Sequence, residues 1–132
     1  MINVSYINEG LNYPINSLGY RDVEFDNINW SETYVMQGCS FVCGVAITDN
    51  EQTLPSLLSA RLNEKVVNLG VLGSSIQLQY MNAVHMIEQN IIPKGVFVLY
   101  PFTSRFLTFH NRGGRIIQYG PSFVYKKDEV FL

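Results

Sequence analysis

Three short apolar runs separated by segments of helical period organise the chain. The first, Thr33–Gln37, is β-branched and apolar and stops at Gly38, as a buried strand ending in a sharp turn does. The second, Lys65–Leu69, runs into Gly70-Val-Leu-Gly73, and the third, Val96–Tyr100, follows a turn at Pro93-Lys-Gly95. Between the first two, Leu54, Leu57, Leu58 and Leu62 fall on one helical stripe, with Thr53 as N-cap and Pro55 in the first turn. Between the second and third, a helix is expected over about Ser74–Asn90, capped by Ser74 or Ser75. Its inward stripe reads Ile76, Tyr80, Ala83, Val84 and Ile87. Strand and helix alternate, which predicts right-handed βαβ units and a parallel sheet with helices on its faces. Residues 1–30 show no sustained period and are expected to wrap residues 31–132, the α/β domain, as loops and one short strand. There is no internal repeat.

Composition narrows the function classes. At 132 residues, 47% hydrophobic, with mean hydropathy +0.07, the chain is long and apolar enough for one folded domain. A net charge of −2 and a pI near 5.6 give no electrostatic footprint for nucleic acid or an anionic membrane. No apolar run approaches the ~20 residues of a membrane span, and no basic-then-apolar leader is visible. The cytoplasm, of a cell or of a host cell, is the expected address. The two cysteines, Cys39 and Cys43, are four positions apart, which permits a redox pair; two small buried thiols are the preferred reading. No His or second Cys pair stands at ligand spacing, so neither metal nor cofactor is expected.

The chemistry centres on Ser40. It follows Gly38-Cys39 at the carboxyl end of the first strand, where open α/β sheets hold their ligands. On these residues alone, Ser40 either meets a substrate or caps the next helical turn. Gly38-Cys-Ser-Phe-Val-Cys-Gly44 resembles the first sequence block of the GDSL/SGNH hydrolases, in its Gly-Cys-Ser-Phe variant. The resemblance implies a three-layer, flavodoxin-like parallel sheet flanked by helices, with Ser40 as nucleophile and Cys39 in place of the usual Asp. Val66-Val-Asn-Leu-Gly-Val-Leu-Gly-Ser-Ser75 resembles the second block, whose oxyanion-binding Gly matches Gly73; a tight turn would require the same glycine. Asn16-Ser-Leu-Gly-Tyr-Arg-Asp22 resembles a leader that precedes this form of the family. Arg21 and Asp22 either pair with each other or pin the leader, and a substrate contact is the alternative for Arg21. The resemblance spans roughly residues 16–105.

Two departures bear on activity. Where the family carries Gly-x-Asn-Asp, this chain has Tyr100-Pro-Phe-Thr-Ser-Arg-Phe106. Thr103 or Ser104 offers a hydroxyl in place of the amide, and Ser104 and Arg105 are candidate substrate contacts, with a structural ion pair as the alternative for Arg105. The family's Asp-x-x-His has no counterpart, leaving His110 as the candidate general base, against an exposed loop histidine. His85, mid-helix, is expected to be a surface or core-edge histidine. Family members are longer, so the sheet is expected to be incomplete at its C-terminal side, as in a shortened gene product, a fragment or half of a split enzyme. Its open edge and apolar face would need cover from a second copy or a partner chain. The implied function is hydrolysis of a small ester or acetylated carbohydrate. The alternative is a non-catalytic binding or assembly module on the same scaffold.

Overall fold

The computed structural model describes residues 1–4 and 13–101, and the backbone of 106–110 and 115–119. The three apolar runs form strands β1 (Tyr34–Gly38), β2 (Val66–Gly70) and β3 (Gly95–Val98). They pair in parallel in the order β2-β1-β3, with Tyr34 opposite Val66 on one side and Gly95 on the other. Parallel neighbours need crossovers. Helices α1 (Ser40–Cys43) and α2 (Leu54–Leu62) join β1 to β2, and α3 (Ile76–Glu88) joins β2 to β3. The fold is therefore of the α/β class, as the alternation of periods predicts. A separate antiparallel pair, β4 (Phe106–His110) with β5 (Arg115–Tyr119), follows and was not anticipated.

Alternation along the strands builds two apolar clusters. Val35, Val67 and Leu69 pack with Val71, with Leu78 and Met86 of α3, and with Val4 and Tyr20 of the leader. Met36 and Val66 pack with Val42 of α1, and Leu58 of α2 leans on them. Helices thus cover both faces of β1 and β2, and all five residues of β2 are buried.

The leader is held by its own motif. Asn16 Oδ1 accepts from the N–H of Leu18 at 3.1 Å and of Tyr20 at 3.0 Å, closing a turn around Gly19, whose φ is +89°. Tyr20 then enters the core, and its hydroxyl bonds Ile2 O and the side chain of Asn82 on α3. Arg21 and Asp22 do not pair with each other. Arg21 donates to Gly44 O at 2.7 Å and Asn50 Oδ1 at 2.8 Å, while Asp22 Oδ2 accepts the outward N–H of Asn68 on β2 at 2.7 Å. Both residues pin the leader. Among the described residues it contributes no strand.

Three sequence expectations need correction. On α3 the buried residues are Leu78, Gln79, Asn82 and Met86, whereas Ile76, Tyr80 and Ile87 are exposed. The helix is rotated because Asn82 faces inward, accepting from Ile2 N at 3.0 Å and bonding Tyr20. On α2, Leu54, Leu57 and Leu62 are exposed and only Pro55 is fully buried, so the leucine stripe is a weak anchor. The β3 strand exists, but Val96, Phe97 and Val98 are exposed, because β3 is the outer strand and no described helix covers it.

Candidate active site

Glycines at the strand ends set the geometry. A Cβ on Gly70 would fall 2.1 Å from Cys43 N, and one on Gly38 would fall 2.4 Å from Val42 Cγ2. Without those side chains, α1 lies directly across the ends of β1 and β2. Val71 N donates to Gly38 O at 3.1 Å, so the ladder persists to the point where the chains diverge.

Ser40 is the first residue of α1, one position beyond the cap, Cys39, which makes no side-chain cap bond. The capping role considered for Ser40 is therefore excluded. Its carbonyl accepts from Gly44 N and Val45 N, which closes α1 at the left-handed Gly44. Among the described residues, Ser40 Oγ has no hydrogen-bond partner and the Ser40 N–H has no acceptor. The side chain is half-buried and chemically free.

Gly73 lies in the loop between β2 and α3 with φ +70°, and a Cβ there would meet nothing within 4 Å. The backbone dihedral, not crowding, requires glycine. Its N–H also has no acceptor among the described residues. Ser40 and Gly73 thus stand at the same carboxyl end of neighbouring parallel strands, with unpaired N–H groups and open space beside Gly73. Ser75 is engaged elsewhere, capping α3 through the N–H of Leu78 at 3.3 Å.

The remaining candidates fall differently. Thr103, Ser104 and Arg105 lie outside the described residues. His110 ends β4, opposite Arg115, so its backbone belongs to a strand and not to the expected loop. His85 is a half-exposed helix residue with Nδ1 4.0 Å from Glu88 Oε2, as expected for a surface histidine. Cys39 and Cys43 are free and buried. Burial pushes the Cys43 thiol up to about 11, with Arg21 opposing and Cys39 adding to the shift. A thiol so protonated at neutral pH is a poor redox nucleophile.

Two polar residues escaped the sequence reading. Gln37, 2% exposed at the end of β1, has no partner for Oε1, and Gln79 on α3 has none for either amide atom. A glutamine directly before a strand-ending glycine was the available signal for the first. Among the described residues there is no group of three or more metal-ligating side chains and no helix long and apolar enough to cross a membrane. Comparison with protein-family models, curated proteins and solved structures gives no significant match.

Proposed function

We propose that this chain is a serine ester hydrolase of the GDSL/SGNH type, with a flavodoxin-like sheet, acting on a small ester or acetylated carbohydrate. The observation that carries the reading is the position of Ser40. It leaves β1 where the strand order reverses, with the next connection running to β2 on one side and β3 returning on the other. Loops at such a reversal splay apart and leave a crevice for ligands.

In this reading Ser40 Oγ attacks the ester carbonyl while a base takes its proton. The carbonyl electrons move to oxygen, and the N–H groups of Ser40 and Gly73 bind the resulting oxyanion. Each such donor is worth ~3 kcal/mol of transition-state stabilisation. Collapse expels the alcohol, which recovers the proton, and water repeats the sequence on the acyl-serine. His110 is the proposed base and the Thr103 hydroxyl the third oxyanion donor, with Ser104 and Arg105 contacting substrate.

A fluorophosphonate probe and a p-nitrophenyl ester, applied to wild type and Ser40→Ala, test this. We expect labelling and turnover in the wild type and at least a thousandfold loss in the variant. Folding should be unchanged, because Ser40 Oγ bonds nothing among the described residues. An unlabelled wild type would instead support a non-catalytic binding or assembly module. The exposed apolar strand β3 favours that second reading.

A further inference from the structure

A second feature lies away from Ser40. The leader, α2 and the outer edge of β2 enclose a groove of about 1050 Å³ walled by Arg21, Asn50, Thr53, Ser56, Lys65 and Asn68, among others. Arg21 is 4% exposed, yet no carboxylate pairs with it among the described residues. Its acceptors are neutral, Gly44 O and Asn50 Oδ1, and the Tyr13 ring lies over the guanidinium at 3.8 Å. Nη2 has no hydrogen-bond partner among the described residues. A buried cation without a counter-charge is costly, and arginine is especially suited to bind planar or tetrahedral oxyanions through two parallel N–H groups.

The acids around the groove do not supply the missing charge. Asp22 spends its carboxylate on the N–H groups of Asn68 and Val23 and lies near Lys65, and Glu64 is paired with Lys94. Glu51 stands exposed on the wall. At the start of α2, which forms part of the same wall, the Thr53 hydroxyl donates to Asn50 O at 2.9 Å and accepts from Ser56 at 2.8 Å, so the charge-matching donor in the groove is Arg21.

We propose that this groove is a second ligand site that takes an oxyanion, a carboxylate or a phosphate, with Arg21 as its charge partner. The site stands independently of Ser40, so neither outcome of the probe experiment bears on it.

The test follows the Arg21 side-chain Nε–H resonance and the backbone amides of Thr53–Ser56 in the full wild-type chain. It is titrated with inorganic phosphate, with acetate, and with sodium chloride at matched ionic strength. A saturable shift confined to these groups is expected for at least one oxyanion, and the stronger of the two identifies the ligand class. The same oxyanion should raise the melting temperature of the wild type, and that rise should vanish in Arg21→Lys, which keeps the charge and loses the fork. Shifts reproduced by chloride, or spread equally over Lys65 and Lys94, would overturn the site. So would an unchanged stabilisation of Arg21→Lys. Should that variant fail to fold, the wild-type titration alone decides.

Discussion

Gly70 and Gly73 are three residues apart, and the same letter does different work at each. At Gly70 a methyl group would meet the α1 backbone, which has no freedom to withdraw. Gly70→Ala is therefore expected to cost at least the 1–3 kcal/mol typical of overpacking, and to displace α1 with Ser40. At Gly73 only the left-handed dihedral is at stake, so Gly73→Ala should cost about 1–2 kcal/mol and leave α1 in place. Urea unfolding of both variants checks the ranking; equal losses would contradict it. Sequence shows the two glycines but not their reasons, because crowding at Gly70 comes from a helix that folds back over it. The same limit applies to Asn82: a hydrophobic period assigns an amide outward, and only the Tyr20 hydroxyl reveals why it points in.

Among the elements, β1 and β2 were legible because both faces of each are buried, and a buried strand writes itself as a continuous apolar run. The outer strand β3 carries the same kind of run without the burial, and α2 carries a leucine stripe that the core hardly uses. The pinning of β2 was legible only as the motif Asn16–Asp22, not as a contact. There Asp22 accepts the Asn68 N–H in a half-buried setting, and desolvation raises its pKa above the ordinary value despite that bond and Lys65. A raised folded-state pKa means the folded protein holds the proton more tightly than the unfolded chain. The associated stability is full below the unfolded value and is lost as pH rises through the folded one. Replacement by asparagine keeps an acceptor without the charge. The stability of Asp22→Asn relative to wild type should therefore improve as pH rises from about 3 through the carboxylate range. Asp22→Ala, which orphans the Asn68 N–H, should lie about 1–3 kcal/mol below Asp22→Asn at every pH. Chemical denaturation across pH separates the two; an Asn variant that loses ground on the alkaline side would refute the assignment.

At the scale of the whole molecule, the leader is as much core as wrapping, since Val4 and Tyr20 are fully buried among residues of β1, β2 and α3. Tyr20→Phe keeps the ring but strips Ile2 O and Asn82 of a partner, and about 1–3 kcal/mol should be lost. Thermal unfolding should remain a single transition at a lower temperature. A separate early melting step would show the leader to be an independent appendage. Placing Ser40 at the carboxyl end of the first strand was open to sequence reasoning, because it needs only a strand, a glycine and a turn in succession, whereas the strand order that reverses there is not written in that succession. Candidates for a general base and a third oxyanion donor came only through the family resemblance, which thins out at the residues that would carry them.

The Asp22 clasp on β2 also has a directional consequence. By occupying the N–H of Asn68, the leader takes a group that a further strand beside β2 would need for pairing. On the opposite side, β3 pairs only with β1 among the described strands. Among the described residues no such clasp is seen on β3, so a further strand would meet less obstruction there than beside β2.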